Sequence, residues 1–155
     1  MKTLYLMRHG HSPTTAEAGV AKDAQRPLSD KGRDDARRMA AELARRGGRP
    51  ALILHSPLMR AAQTAAEAAS SLKPAGGSFS FAALDNTQPA EEVAAALSKR
   101  GEAAPEVLAI GHQPQIGEVA ALLGKALFEF RPGTIVALEL APKPRFLWSI
   151  SPEEL

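Results

Sequence analysis

The chain has 155 residues, of which 45% are hydrophobic and 23% charged, the balance of a folded globular protein. It contains no cysteine, which excludes disulfides, thiolate nucleophiles and cysteine-bound metals and suits the reducing cytoplasm. The net charge is only +2, and a single Trp and a single Tyr offer no platform for stacking bases. No apolar run approaches the roughly 20 residues of a membrane span. We therefore expect a cytoplasmic protein that binds neither nucleic acid nor membrane.

Short apolar runs and amphipathic periods alternate along the chain. Runs of β-favouring residues, too short for helices, predict buried strands at residues 3–7, 51–54 and 107–110. Apolar residues spaced three and four positions apart predict helices around residues 36–44, 58–72, 93–97 and 116–123. Ser29 or Asp30 can cap the first of these helices. The tail predicts two further strands, at residues 134–140 and 145–150, and a weaker strand is predicted at residues 79–82.

This alternation predicts an α/β fold with a mostly parallel central sheet that carries helices on both faces. The final pair of strands would supply an antiparallel edge. Because we find no internal repeat and no linker, we expect residues 1–155 to form one domain. Residues 11–28 show no apolar period, and so long a loop in a small domain is usually functional or mobile.

Polar clusters follow three of the predicted strands, at residues 8–11, 55–60 and 111–114. In an open α/β sheet, ligands bind outside the carboxyl ends of the parallel strands. We therefore expect four side chains to meet at one edge, namely Arg8, His9, Arg60 and His112. Two guanidinium forks and two imidazoles can surround a phosphate, and an imidazole can also attack its phosphorus. Gly10 would let the backbone pass close to that anion.

Each of these residues also has an ordinary structural interpretation. A single His at a strand end is more often a hydrogen-bonded structural residue than a catalyst, and an Arg near a helix start is usually solvated. His9 and His11, two residues apart, could suggest a metal pair. Because no carboxylate or thiolate cluster completes a ligand set, we expect no metal. The four residues outweigh these alternatives because they share one predicted edge.

Four segments resemble, in order, the motifs of the histidine phosphatase superfamily, whose fold is the three-layer phosphoglycerate-mutase-like fold. Residues 6–10, Leu-Met-Arg-His-Gly, are similar to its signature, and residues 27–32 resemble the Pro-Leu-Thr-x-x-Gly that opens its first helix. Residues 56–65 match its Ser-Pro-x-x-Arg-Ala-x-Gln-Thr motif, and residues 110–112, Ile-Gly-His, match its third. Four ordered motifs across nearly the whole chain are a specific resemblance, whereas Arg-His-Gly alone would be weak.

The resemblance implies that His9 is the nucleophile and becomes phosphorylated. Arg8 and Arg60 would then be phosphate clamps, with Gly10 beside the phosphate, and His112 would donate to the transferring group. The physical chemistry agrees, because attack requires a neutral imidazole and two adjacent guanidinium charges disfavour its protonation. The same guanidinium charges stabilise the phosphoryl oxygens during transfer. The resemblance therefore implies no metal and no other cofactor.

Within the superfamily, the chain looks most like the SixA-type phosphohistidine phosphatases. Only about 50 residues separate Arg60 from His112, where mutase and sugar-phosphatase relatives usually insert more. The mutase-like branch continues its first motif with Glu and, further on, Asn, whereas this chain has His11 and Thr15. The acid-phosphatase branch follows its third-motif His with Asp, whereas this chain has Gln113.

The general acid is the residue that the motifs leave open. Asp85 is the candidate by position, with Glu91 and Glu92 further along, and the alternative is that Asp85 only opens a turn before Asn86. A phosphoester needs an acid for its alkoxide leaving group, whereas a phosphohistidine nitrogen can be protonated by solvent. A missing acid therefore harms an esterase more than a phosphohistidine phosphatase.

The sequence thus favours an enzyme, a phosphatase that acts on a phosphohistidine-bearing phosphotransfer protein through phospho-His9. Two alternatives stay open: a broad phosphomonoesterase for small phosphorylated substrates, and a non-catalytic module that binds phosphorylated partners. A pure binder has no need of a nucleophile, which argues against the second alternative. His11 and His55 are expected at the rim of the site and Arg131 in a solvated turn, while the direction of Arg26 is open.

Overall fold

Six strands form one mixed sheet in the computed structural model, which describes residues 1–155. The strands are β1 (Thr3–Arg8), β2 (Leu52–His55), β3 (Ser78–Ser80), β4 (Glu106–Gly111), β5 (Ile135–Glu139) and β6 (Arg145–Ile150). Their order across the sheet is β3-β2-β4-β1-β5-β6. The first four strands of the chain run parallel, while β5 lies antiparallel to both β1 and β6. The sheet is therefore mostly parallel and has the expected antiparallel pairing at one edge.

Five α-helices connect or flank these strands. They are α1 (Thr15–Ala18), α2 (Asp30–Arg45), α3 (Met59–Leu72), α4 (Ala90–Arg100) and α5 (Gln115–Gly124). The helix α2 begins at Ser29, whose hydroxyl accepts a hydrogen bond from the Gly32 amide as an N-cap. None of the helices is both long enough and apolar enough to cross a membrane.

The alternation of side chains along the strands produces two cores, one on each face of the sheet. On one face, α4 and α5 cover a cluster that includes Leu6, Leu54 and Ala109. On the other face, α2 and α3 cover a cluster that includes Met7 and Ile110. The predicted three-layer α/β fold is confirmed. The helices α2 and α4 bury apolar residues of the predicted ranges, whereas α3 also buries Arg60 and Thr64.

Two local expectations differ from the structure. Residues 11–28 are not wholly irregular, because they contain α1 and a 3₁₀ turn at Asp23–Gln25. The helix α1 is only four residues long and buries no residue, so the sequence shows no hydrophobic period there. A reciprocal capping box between Thr14 and Glu17 stabilises this short helix. The weak strand expected at residues 79–82 is β3, which ends at Ser80 before a 3₁₀ turn at Ala82–Leu84. The single-domain organisation stays a prediction.

Candidate active site

The parallel register brings the three polar clusters to one edge of the sheet. Arg8 at the end of β1 lies opposite Gly111 of β4, and His55 at the end of β2 lies opposite Ile110 of β4. The residues that follow these strands therefore converge. The rings of His9 and His112 lie 5.1 Å apart between centroids, and Arg60 Nε is 3.3 Å from His9 Nε2.

His9 has a hydrogen-bond partner at each ring nitrogen. Its Nδ1 lies 2.7 Å from the Gly10 carbonyl oxygen, which can only accept, so Nδ1 carries the proton and the Nε2 lone pair accepts from Arg60 Nε at 3.3 Å. Burial is the main cause that lowers the pKa of His9 to about 3, and His112 and Arg60 lower it further against the opposing Gly10 hydrogen bond. His9 is consequently a neutral imidazole near pH 7, with Nε2 directed towards Arg60.

Gly10 holds this arrangement through backbone contacts. Its amide donates to Thr64 Oγ1 at 3.0 Å, and that hydroxyl donates to the Arg60 carbonyl at 2.7 Å. A side chain at Gly10 would also meet the Gly32 carbonyl, because an ideal Cβ there lies 2.8 Å from that oxygen. The structure thus explains Gly10 by the close approach of the segment after β1 to the first turn of α2, whereas the sequence analysis explained it by the approach of an anion.

Arg60 lies in the first turn of α3, and all of its nitrogens have partners. Besides the contact from Nε to His9, Nη1 donates to the Asp23 carbonyl at 3.0 Å and Nη2 to Asp23 Oδ2 at 3.1 Å. The other carboxylate oxygen of Asp23 accepts from Arg26 Nη1 at 3.0 Å. The hydrogen bond from Arg26, followed by that from Arg60, lowers the pKa of Asp23, so this carboxylate is ionised beside the guanidinium.

Arg8 and His112 each have a buried side-chain nitrogen without a hydrogen-bond partner in the protein. Arg8 donates through Nη1 to the Phe130 carbonyl at 2.8 Å, but its Nε has no partner. His112 Nε2 is 2.7 Å from Ser56 Oγ, but its Nδ1 has no partner. Burial lowers the pKa of both residues, to about 4 for His112, and the neighbouring charge of Arg60 adds to each effect. Since buried polar groups are normally paired, these two nitrogens are candidates to contact a bound ligand.

Comparison with known proteins agrees with this geometry. The family model of the histidine phosphatase superfamily, branch 1, matches residues 4–76, which include His9 and Arg60. An uncharacterised protein of Picosynechococcus sp. is 38% identical over 122 residues, which are 76% of this chain and 70% of that protein. The chain belongs to the histidine phosphatase superfamily.

Solved structures extend the similarity to the whole phosphatase fold. The protein histidine phosphatase SixA in complex with tungstate is 28% identical, with a TM-score of 0.87 over 98% of each chain. A mycobacterial glucosyl-3-phosphoglycerate phosphatase in complex with VO3 has a TM-score of 0.71 at 19% identity, over 95% of this chain and 98% of that one. The recognition of a SixA-type, phosphoglycerate-mutase-like fold is confirmed.

Asp85 lies in the phosphatase as a turn residue. It follows the 3₁₀ turn at Ala82–Leu84, and its Oδ1 accepts from the Thr87 amide at 3.1 Å and from Thr87 Oγ1 at 2.5 Å. Its charge still reaches His112, whose pKa it raises slightly against the larger lowering effects. The structure therefore gives Asp85 the turn contacts of the alternative interpretation, and its role as a general acid stays a prediction.

The remaining polar residues of the three clusters lie around the four central side chains. His11 is exposed and pairs with Ser29 Oγ, while the half-buried His55 pairs through Nδ1 with the Ser56 carbonyl. Arg26 points into its own loop, where it donates to carbonyls of residues 12 and 13 as well as to Asp23. Arg131 is exposed and pairs with Glu129, as expected of a solvated turn. No group of three or more His, Cys, Asp or Glu side chains is arranged around a common metal position.

Sequence reasoning missed three residues that shape the site. Asp23 lies in a loop without a motif, and nothing in its neighbourhood of the sequence indicates that it reaches Arg60. Thr64 and Ser56 belong to the second motif, but their contacts depend on how α3 packs against β1 and β4. Gly10 and Gly32 indicate a close backbone approach in the sequence, but they give no signal for these three side-chain contacts.

Proposed function

We propose that this phosphatase hydrolyses phosphohistidine on a phosphotransfer protein through a phosphorylated His9. One observation carries the proposal: Arg8 Nε and His112 Nδ1 are buried without a partner, and the Nε2 lone pair of a neutral His9 has only the Arg60 Nε–H as its partner. An ordinary structural cluster would leave neither buried nitrogen without a partner, because each would cost about 1–3 kcal/mol. A bound phosphoryl group offers the oxygens that both donors need.

The bound phosphoryl group would be held by charge on two sides. Arg8 contributes its Nε–H and Arg60 a guanidinium whose present partners, the Asp23 oxygens, are replaceable by phosphoryl oxygens. Charge-assisted hydrogen bonds of this kind are stronger than neutral ones and suit the planar fork of arginine. Because the charge on the equatorial oxygens is stabilised where it develops, the same contacts lower the barrier to transfer.

The reaction then consists of two displacements at phosphorus. In the first, the Nε2 lone pair of His9 forms a P–N bond while the bond to the substrate nitrogen breaks, and the leaving imidazole carries away the proton that it took up from solvent. In the second, water attacks phospho-His9, the P–N bond to His9 breaks, and inorganic phosphate leaves with restoration of the neutral ring. Division into two steps replaces one difficult displacement with two easier ones.

The available carboxylates favour a substrate that does not need a strong protein acid. Asp23 is an ionised partner of Arg60 and Arg26, and Asp85 Oδ1 is engaged by Thr87. An alkoxide leaving group would need a proton from one of them, whereas a phosphoramidate nitrogen is protonated before it leaves. The similarity to SixA supports the same substrate class, and the similarity to a sugar-phosphate phosphatase supports a small phosphoester as the second candidate.

The deciding experiment compares turnover of a phosphohistidine-bearing protein with that of p-nitrophenyl phosphate and sugar phosphates at matched pH. After correction for spontaneous hydrolysis, we expect kcat/KM for the protein substrate to be at least about tenfold higher, or about 1.4 kcal/mol in transition-state stabilisation. His9→Ala is the control for all substrates and should abolish turnover and the acid-labile label that wild type acquires. Equal or better turnover of a small ester would contradict the phosphohistidine assignment, and binding without turnover would leave only a phospho-partner module.

A further inference from the structure

The Ser56 hydroxyl occupies a fully buried position between a backbone donor and a catalytic imidazole. Ser56 follows β2 and has no exposed surface. Its Oγ accepts a hydrogen bond from the Leu58 amide at 3.1 Å and lies 2.7 Å from His112 Nε2. These are its only hydrogen-bond partners, so the position of its own proton depends on which tautomer His112 adopts.

Two arrangements of the protons are conceivable, and they differ in which buried donor is left unpaired. If Nε2 of His112 carried the proton, it would donate to Ser56 Oγ, and the Ser56 hydroxyl proton would have no acceptor. The bare Nδ1 lone pair could then only repel a phosphoryl oxygen. If Nδ1 carries the proton, Ser56 donates to Nε2 while one of its lone pairs accepts from the Leu58 amide, and Nδ1–H is the one donor left unpaired. Each arrangement thus leaves one buried donor unpaired, at a cost of about 1–3 kcal/mol, but only Nδ1–H can be paired by a bound phosphoryl oxygen, which favours the second arrangement when phosphate is bound.

We propose that Ser56 is a positioning residue that holds His112 in the tautomer with its proton on Nδ1, so that this proton is presented to the phosphoryl group. The inference rests on the proposed function for its catalytic consequence, but the tautomer itself does not depend on turnover. Ser56 acts through His112 and touches no reacting atom. The Leu58 amide fixes the direction of the hydroxyl, because it occupies one of the lone pairs and leaves the O–H bond to point at the imidazole.

The first test reads the tautomer directly in the full chain. The ring nitrogens of the four histidines are observed by ¹⁵N NMR near pH 7, where a protonated and a bare nitrogen give distinct shifts, and His112 is assigned by its loss in His112→Ala. We expect Nδ1 of His112 to be the protonated nitrogen in wild type with inorganic phosphate bound. A proton on Nε2 would overturn the proposal, whether or not any variant folds and whatever substrate the enzyme accepts.

The second test separates positioning from packing by a double-mutant cycle. Ser56→Ala should lower kcat/KM by about tenfold, less than the hundredfold or more expected when a transition-state donor is lost outright. In a His112→Ala background the same change should alter kcat/KM by less than about twofold, because there is no imidazole left to orient. A tenfold loss in that background would show that Ser56 acts only through the packing of α3, and would overturn the proposal.

The outcomes distinguish this inference from the proposed function. If no substrate is turned over, the proposed function fails while the NMR result still decides the tautomer. If turnover is normal and the tautomer is Nε2–H, only the role of Ser56 fails. Thermal melting of Ser56→Ala accompanies the kinetics, so that a loss of folded protein is not counted as a loss of activity.

Discussion

Asp23 Oδ2 lies 3.1 Å from Arg60 Nη2, so a carboxylate from the 11–28 loop accepts a hydrogen bond from the guanidinium that is expected to bind phosphate. The Asp23 carbonyl accepts a hydrogen bond from Nη1 of the same side chain at 3.0 Å. A phosphoryl dianion must therefore displace these contacts or share Arg60 with a negative charge. Either requirement opposes binding, although Asp23 is mostly exposed and its ion pair is correspondingly screened.

Replacement of Asp23 should consequently tighten phosphate binding. We expect Asp23→Asn to lower the inhibition constant for inorganic phosphate by about two- to fivefold, the range of an exposed ion pair of 0.4–1 kcal/mol. Asp34→Asn, an equal charge change on the exposed surface of α2, is the matched control and should leave that constant unchanged. Weaker inhibition in Asp23→Asn would mean that Asp23 chiefly holds Arg60 in place for the anion.

Loss of Arg60 should be far more costly than loss of a surface arginine. Arg60→Ala removes a buried guanidinium beside His9 Nε2, and we expect kcat/KM to fall by at least about a hundredfold, as for other transition-state donors. The control is Arg37→Ala, which removes an exposed arginine paired with Glu67 and should change kcat/KM by less than about twofold. Steady-state kinetics on one substrate decides the comparison, and near-normal activity of Arg60→Ala would place Arg60 outside the reaction.

The buried histidines should make the folded state sensitive to acid. The pKa of His9 is about 3 and that of His112 about 4 in the folded chain, against about 6.5 when unfolded. Because the unfolded state binds these protons first, the free energy of unfolding is largest above about pH 6.5 and falls as the pH drops towards 4. Each histidine contributes up to about 1.4 kcal/mol per pH unit in this window. Urea titrations of wild type and His9→Ala should show a shallower pH slope in the variant, and equal slopes would mean that His9 is not buried as a neutral ring.

The sequence predicted those parts of the site that follow from strand ends. Arg8, His9 and His112 come directly at or after buried strands, so a parallel sheet alone brings them together. Asp23 could not be predicted in this way, because its contact to Arg60 depends on how an apolar-poor loop folds over α3. The contact of Ser56 with His112 likewise depends on the direction of the Ser56 hydroxyl, which the Leu58 amide before α3 helps to set. Such a contact produces no periodic pattern in the sequence.

Gly32, in the segment at residues 27–32, should be needed for the close approach of α2 to the segment that follows His9. An ideal Cβ at Gly32 would lie 2.2 Å from the His11 carbonyl oxygen, although alanine would favour the helix α2 by about 1 kcal/mol. The obstacle is backbone, which cannot move aside cheaply, so Gly32→Ala should lower the free energy of unfolding by about 1–3 kcal/mol net. Urea denaturation measures this change, and a variant as stable as wild type would show that the His11 backbone leaves room for a side chain at Gly32.

Occupation of the two unpaired donors should stabilise the folded chain. An oxyanion such as tungstate offers acceptors for Arg8 Nε and His112 Nδ1, both of which the protein leaves without partners. A ligand at a hundred times its Kd adds about 2.7 kcal/mol, or roughly 5–10 °C in Tm for a domain of this size. The shift should persist in the presence of a chelator, because the positive charge belongs to guanidinium groups. It should be lost in Arg8→Ala and kept in Arg131→Ala, whose arginine lies in an exposed turn. Equal shifts in the two variants would mean that tungstate binds elsewhere on the surface and that the unpaired nitrogens are not its site.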